Sequence, residues 1–107
     1  MDEIHKYLPM TETAYYILLC LKNPEHGYGI MQRVETMTEG RIKIGPGTMY
    51  GTLSKLEAQQ LISQVEEVDR KKIYKITDKG LSLLKFELKR LKELIENGDS
   101  IMEVKRS

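Results

Sequence analysis

The stretch "IGPGTMYGTLSKLEAQQLI", residues 44 to 62, joins a glycine-rich turn to an amphipathic helix. Pro46 suits the first position of a helix, where its missing N–H would have no intrahelical partner. Met49, Leu53 and Leu56 recur at helical spacing and predict the face that packs on a core. The other side of the helix then carries only glycine and short or flexible polar side chains, so it is expected to have little relief.

The glycines of this stretch could also belong to a phosphate-binding loop. Gly45, Gly47 and Gly51 give the spacing G-x-G-x-x-x-G, which differs from the dinucleotide fingerprint. No Lys-Ser or Lys-Thr pair follows, as a Walker loop requires. The glycines are better explained by a sharp turn and by close packing of the helix. We therefore interpret the stretch as a docking helix.

Two more helices are predicted on the N-terminal side of this stretch. The first begins near Thr11 and ends before "KNPEHG", and the second follows Gly27 and ends before Gly40. Between the second helix and the glycine-rich turn, "RIKI", residues 41 to 44, alternates polar and apolar residues. This alternation predicts a very short strand.

A hairpin and a final helix are predicted on the C-terminal side. The runs "LISQVEEV" and "KKIYKIT" alternate roughly with period two around Asp69 and Arg70. Asp-Arg is a weak tight-turn pair, so the loop is either two residues long or longer. Thr77 or Asp78 can cap the final helix. The tail after Asn97 is either a kinked continuation of that helix or a separate turn.

This order of elements predicts a mainly α fold with a small β wing. It is the order of a winged helix-turn-helix domain, here residues 1–77, followed by a C-terminal dimerisation helix, residues 78–107. In this arrangement the third helix enters the major groove of DNA and the hairpin lies against the flanking backbone. We expect the "RIKI" strand to pair with the hairpin and complete a three-stranded sheet.

Composition limits the possible functions. The chain has 107 residues, with 40% hydrophobic and 31% charged, which is typical of one soluble globular domain. Seventeen basic residues against sixteen acidic ones leave a net charge of +1, so any attraction to nucleic acid must be local. Cys20 has no partner for an internal disulfide, and the longest apolar runs are too short to cross a bilayer. We expect a cytoplasmic protein that does not associate with membranes.

The sequence does not indicate catalytic chemistry. His5, His26 and Cys20 are scattered, and Cys20 falls within the apolar run of the first helix. This spacing is unlike that of a metal site. No nucleophile with an adjacent base and no pair of carboxylates stands out. We therefore expect neither an enzyme nor a bound metal or cofactor.

Polar and basic side chains near the third helix are candidates for DNA contacts. Short polar groups can reach base edges, and cations on the hairpin tip can follow phosphates. Tyr50 is either a surface packing residue or a phosphate contact, and we favour the contact. The predicted DNA-binding residues are Arg41, Lys43, Thr48, Tyr50, Gly51, Thr52, Ser54, Lys55, Arg70, Lys71 and Lys72.

Residues 41 to 72 contain six basic and four acidic residues, so the net positive charge of this segment is only two. We therefore expect DNA binding to need two copies of the chain. The final helix carries a heptad stripe with little of its own domain left to cover, which favours pairing with a second copy. The predicted dimerisation residues are Leu81, Leu84, Leu88, Leu91, Ile95 and Met102.

Four blocks of the sequence, "TETAYYILLCL", "HGYGIMQRVE", "IGPGTMYGTLSKLEAQQLI" and "KIYKITDKG", resemble the PadR family of bacterial transcriptional regulators. The resemblance covers about residues 8 to 95. It implies a winged-helix homodimer that represses promoters by binding a palindromic DNA operator. The single helix after Thr77 resembles the short version of the family, which dimerises through one helix.

Two further roles remain open at this stage. A small-molecule inducer could bind in an apolar space between subunits, lined by Tyr7, Met10 and the leucines of the final helix. The alternative from a different class is a protein-interaction adaptor that uses the winged helix without binding a specific DNA sequence. The low positive surplus permits this alternative, and the effect of salt on binding separates the two.

Overall fold

The structure is a computed structural model that describes residues 3–106. Its elements in chain order are a short N-terminal 3₁₀ helix (Glu3–Tyr7), α1 (Glu12–Cys20), β1 (Glu25–His26), α2 (Gly27–Met37), α3 (Pro46–Ala58), β2 (Ile62–Val68), β3 (Lys71–Ile76) and α4 (Asp78–Met102). The three strands form one antiparallel sheet in the order β1-β3-β2. The predicted mainly α fold with a small β wing is confirmed.

Each of the four α-helices begins with a capping residue or an N-terminal proline that is visible in the sequence. The Thr11 hydroxyl accepts the Ala14 N–H at 3.1 Å, and the Thr77 hydroxyl accepts the Gly80 N–H at 3.1 Å. His26 caps α2 by accepting the Gly29 N–H at Nδ1 over 3.3 Å. Pro46 starts α3, where Gly45 provides no side-chain cap. The predicted starts are thus confirmed, with Thr77 rather than Asp78 as the cap of α4.

The prediction of a strand at residues 41–44 is wrong. Those residues form the loop between α2 and α3, and their backbone bonds to the end of α2: the Ile42 N–H donates to the Thr38 hydroxyl at 3.1 Å. The alternation in "RIKI" arises because Ile44 is buried in the core and Ile42 packs against it. The third strand is instead Glu25–His26, which lies beside Tyr74 and Ile73 of β3.

The wing is the hairpin of β2 and β3, and its loop contains only two residues. Asp69 and Arg70 both adopt left-handed backbone conformations, with φ of 50° and 66°. Two successive left-handed residues are the signature of a type I′ turn, which matches the twist of the flanking strands. The pairing shifts register between Gln64 and Glu66, where β2 contains an irregularity.

One hydrophobic core joins all the elements. Its fully buried members are contributed by α1, α2, α3, the start of the wing and the first turns of α4, and they include Ile17, Leu18, Leu21, Ile30, Val34, Met49, Leu53, Leu61, Ile62 and Leu83. The predicted stripe of Met49, Leu53 and Leu56 on α3 is buried, as expected. α3 is therefore fixed with its opposite face toward solvent.

The last helix is a single continuous element. α4 runs for 25 residues through Asn97 and Gly98 to Met102, and it ends at Glu103 in a left-handed conformation. This settles the open question about the tail, since the helix continues without a separate turn up to Met102. Among the described residues, no helix combines the length and the apolar character needed to cross a bilayer.

Candidate nucleic-acid interface

The exposed face of α3 lies opposite the buried stripe. Gly47, Thr48, Gly51, Ser54 and Lys55 are all exposed there. A Cβ atom added at Gly47 or Gly51 would have no described atom within 4 Å to meet, apart from the helix's own backbone and chain neighbours. The expectation that the glycines let the helix pack closely is therefore wrong for Gly47 and Gly51. Packing within the chain does not require them, although a glycine inside a helix costs about 1 kcal/mol relative to alanine. The result is a helical face from which few bulky side chains protrude.

Tyr50 lies on the flank of α3 that faces α2. A Cβ added at Gly27 would come within 2.7 Å of the Tyr50 Cε1 atom, so the ring lies directly against the backbone at the start of α2. The residue is nevertheless 54% exposed. The ring of Tyr50 therefore does pack on the protein, and its role as a phosphate contact stays a prediction.

A cleft of about 420 Å³ separates α3 from the wing. We call it the wing cleft; it is lined by His26, Gly27, Tyr28, Tyr50, Leu53, Ser54, Arg70, Lys71, Lys72 and Tyr74. The structure thus brings five predicted contact residues together, two from α3 and three from the wing tip. His26 and Tyr28 were missed in the sequence analysis, although the "HGYG" block at the start of α2 was visible there.

The three wing cations are exposed. Glu67 lies opposite Lys72 in the hairpin register, and Val68 lies opposite Lys71. Within residues 4–106, no carboxylate forms an ion pair with Arg70, Lys71 or Lys72. The rim of the wing cleft is therefore positively charged, although the chain as a whole is almost neutral.

Residues 17–85 match the family model described as the transcriptional regulator PadR-like family. The chain belongs to this family. It is similar to a PadR-like transcription factor from Bacteroides fragilis, with 30% identity, a TM-score of 0.72, and coverage of 94% of this chain and 99% of that one.

Two curated relatives are similar over part of the chain. An uncharacterized 37.1 kDa protein in transposon Tn4556 of Streptomyces fradiae is 38% identical over 72% of this chain. The transcriptional regulator YqjI of Escherichia coli is 35% identical over 59% of it. The PadR-like chain spans only 22% and 30% of the length of these two proteins.

The remaining predicted contact residues of the PadR-like chain lie outside the wing cleft. Arg41 donates two hydrogen bonds to the carboxylate of Glu12, at 2.8 and 3.2 Å, and these bonds lower the pKa of Glu12. Both side chains are more than half exposed, so the pair is solvated and can exchange for a phosphate. Lys43 is exposed just before α3, whereas Thr52 is half-buried on the flank that faces the N-terminus.

The predicted dimerisation stripe divides into two parts. Leu84 is only 5% exposed and lies in the chain's own core, and Leu81 packs against that core. Leu88, Ile95 and Met102 are exposed, and Leu91 is half-buried. The sequence analysis missed two exposed apolar residues of the same half of α4, Leu94 at 54% and Ile101 at 80%. A strict heptad overlooks them because the helix repeats every 3.6 residues.

A buried carboxylate marks the place where α4 leaves the core. Glu87 is 2% exposed and accepts hydrogen bonds from Arg90 Nε at 2.6 Å, from Arg90 Nη2 at 2.9 Å and from the Met10 N–H at 3.2 Å. The bonds from Arg90, with a smaller contribution from Met10, hold the pKa of Glu87 below its ordinary value despite the opposing effect of burial. Glu87 thereby ties the segment before α1 to α4.

The residues considered for metal or nucleophilic chemistry have structural surroundings. His26 caps α2, and the His5 ring packs edge-on against Phe86 with 4.5 Å between centroids. Cys20 is buried, and burial raises the pKa of its thiol. Across residues 3–106, no group of three His, Cys, Asp or Glu side chains is placed to hold a metal ion. The family and the fold are those of transcriptional regulators.

Proposed function

We propose that this PadR-like chain binds double-stranded DNA as a homodimer, with α3 in the major groove and the wing on the flanking backbone. The observation that carries the proposal is the exposed face of α3. Its glycines have no packing role within the chain, and they alternate with side chains that can hydrogen-bond to bases and phosphates. A major groove about 12 Å wide accepts a helix of this low relief.

The wing cleft supports the same orientation. Tyr50 and Ser54 border it from α3, and Arg70, Lys71 and Lys72 border it from the wing. A phosphate at this rim would meet hydroxyl donors on one side and cations on the other, which are the groups that proteins use to fix their position on a duplex. Bases would then be read by Thr48, Ser54 and Lys55.

The part of α4 beyond Glu87, residues 88–102, supports a homodimer; we call it the free half of α4. A helix of 25 residues is about 37 Å long, and its buried residues, which include Leu83, Leu84 and Glu87, all lie in its first ten positions. Beyond them the same side continues with Leu91, Leu94, Ile95, Ile101 and Met102, four of which are exposed. A contiguous apolar face of this kind is typical of a partner interface. An identical α4 presents a complementary one.

A dimer of this kind explains the finer features of the proposal. Because a two-fold dimer presents the same reading surface twice, its operator is palindromic, with half-sites about 34 Å apart. A dimer bound over a promoter acts as a repressor. An inducer that changes the angle between the paired α4 helices would alter the spacing of the two α3 helices and release the DNA.

The sharpest test of the docking face is Gly51→Ala. Because a Cβ there meets no described atom, we expect the variant to be more stable by up to about 1 kcal/mol. The same Cβ would stand between the α3 backbone and the groove, so affinity for the preferred duplex should fall. The duplex is first selected from a random library, and Ser82→Ala, an exposed change on α4, serves as the control.

Two further variants test the side chains. Tyr50→Phe keeps the ring on Gly27 and removes only the hydroxyl, and Lys55→Ala removes one cation. Each should weaken operator binding by about two- to tenfold, the effect of one hydrogen bond, and leave the dimer intact in sedimentation experiments. Unchanged affinity in all three variants would contradict this docking face. A chain that selects no duplex and binds a protein partner regardless of salt would instead be an adaptor.

A further inference from the structure

A second cleft, of about 400 Å³, lies between the N-terminal segment and α3. We call it the N-terminal cleft; it is lined by Lys6, Tyr7, Pro9, Met10, Thr11, Ala14, Thr52, Lys55, Leu56, Gln59, Leu61 and Leu83. Leu56, Leu61 and Leu83 are buried beneath the cleft, and the apolar surface that a ligand can reach comes from Tyr7, Pro9, Met10 and Ala14. Its volume lies within the range of small-molecule sites.

The charged side chains that line this cleft are cationic, and the nearby Glu87 carboxylate, which accepts the Met10 N–H, is paired with Arg90. Two lysines and no carboxylate are among its described lining residues. The Nζ atoms of Lys6 and Lys79 each lie 5.4 Å from the centre of the Tyr7 ring, which forms one wall. Lys79 is held there by a 3.0 Å hydrogen bond to the Gln59 carbonyl. By contrast, the open cleft along α2 is bordered by Glu35 and Glu39.

We propose that the N-terminal cleft binds a small amphiphilic anion. The apolar body of the ligand would contact Tyr7, Met10 and Ala14, and its anionic head would lie at the rim near Lys6 and Lys55. An anionic head is attracted by the ammonium groups, whereas a cationic head would be repelled by them. The polar groups of Thr52 and Gln59 provide hydrogen bonds beside the head.

Occupation of this cleft would act on DNA binding directly. Lys55 and Thr52 line the cleft and also belong to the predicted DNA-contacting residues of α3. A ligand that engages Lys55 removes that cation from the duplex, so anion and DNA compete. Competition between the anion and DNA rests on the proposed function, whereas binding of the anion to the cleft does not depend on it. The site lies within one chain, unlike an inducer site between paired α4 helices.

The test uses two fluorescent probes with nearly the same rings, anilinonaphthalene sulfonate and the uncharged N-phenylnaphthylamine. Each is titrated into the full chain. The sulfonate should bind, and Lys6→Gln should raise its Kd by about three- to tenfold, the effect of losing one charged contact. The Kd of the uncharged probe should not change with Lys6→Gln. Lys22→Gln, which removes an exposed lysine between α1 and β1, should leave both values unchanged.

Two more variants locate the probe. Ala14→Leu fills the floor of the N-terminal cleft and should weaken both probes, whereas Leu94→Gln on the free half of α4 should leave sulfonate binding intact. Equal sulfonate affinity in the wild-type chain, Lys6→Gln and Ala14→Leu would overturn the proposal. Loss of sulfonate binding in Leu94→Gln alone would also overturn it, because the probe would then report the apolar face of α4.

A measurement of DNA binding in the presence of each probe distinguishes failure of the anion site from failure of the proposed function. With the selected duplex bound, the sulfonate should raise the Kd for DNA and the uncharged probe should not. Sulfonate binding that depends on Lys6 but leaves the duplex bound would refute competition and keep the site. If the chain selects no duplex at all, the sulfonate titration still decides the site, and only the proposed function fails.

Discussion

Replacement of Arg70 by glycine tests whether the backbone strain of the wing turn lowers stability while the Arg70 side chain contributes to DNA binding. Asp69 and Arg70 both have positive φ, and the second position of such a turn normally carries glycine. A residue with a Cβ in this conformation costs about 1–2 kcal/mol. Glycine has more freedom in the unfolded chain, which offsets about 0.4–1 kcal/mol of that gain. The net expectation is a more stable protein, by about 0–1.6 kcal/mol.

The assay compares unfolding with DNA binding for the same variant. A gain of about 1 kcal/mol raises the unfolding midpoint of a domain of this size by roughly 4–8 °C. Affinity for the selected duplex should fall in Arg70→Gly, because the wing cleft loses a cation. Arg70→Lys is the matched control, since it keeps both the charge and the strained conformation. It should leave stability unchanged and retain most of the affinity.

Two results would refute this reasoning. If Arg70→Gly is less stable than the wild-type chain, the turn is not strained and Arg70 contributes to folding. If Arg70→Gly binds the duplex as tightly as the wild-type chain does, the guanidinium is not a contact, and its place at the rim of the wing cleft has another cause. Strain that persists at an exposed position is otherwise explained by a functional use of the side chain.

Four further predictions concern two buried residues of α4, the effect of salt on DNA binding and the pairing of α4. Gly80→Ala should destabilise the fold by about 1–3 kcal/mol in urea, because its Cβ would overlap the Leu61 carbonyl oxygen; Ser82→Ala, at an exposed position two residues later, should not. Because the pKa of Glu87 lies below its ordinary value near 4.5, its stabilising effect is complete above that pH and is lost as the pH falls through the lowered pKa. Glu87→Gln should remove this part of the acid dependence of the unfolding midpoint. With about 3–5 phosphate contacts per subunit, duplex affinity should fall about 10³- to 10⁵-fold between 50 and 200 mM salt in a binding titration, and Leu94→Gln should raise the dimer dissociation constant in sedimentation experiments.

Local signals in the sequence were sufficient for most of the fold. Helix starts at Thr11, Pro46 and Thr77 were readable because capping and proline geometry depend on a few neighbouring residues. The buried stripe of α3 was readable because one face of a helix repeats regularly. The third strand was not, since β1 is only two residues long and depends on β3, nearly fifty positions later. The apolar pattern of residues 42 and 44 reflected burial in a loop, which alternation alone cannot distinguish from a strand.

The sequence predicted which residues belong to the candidate site, but not which of them lie together in the structure. The sequence indicated which side chains could contact DNA, yet it did not indicate which of them share a cleft. In the structure Tyr50 packs against the start of α2 at the border of the wing cleft, whereas Thr52 and Lys55 border the N-terminal cleft. The direction of each side chain depends on which face of α3 is buried and on what packs at its flanks. Those contacts involve the wing and the N-terminal segment, which are distant in sequence.

The N-terminal segment connects α4 physically to α3. Its Met10 N–H donates to the buried Glu87 on α4, and its Tyr7 ring, at the edge of the N-terminal cleft, lies 5.4 Å from the Nζ atoms of both Lys6 and Lys79. The same cleft is bordered on its other side by Lys55 of α3. Because Glu87 belongs to the buried half of α4, the wall of the cleft is held by the part of the helix that is fixed in the core. A ligand in the cleft would therefore act on DNA binding through Lys55 and not through the pairing of the exposed half of α4, which is why Leu94→Gln should leave the cleft intact.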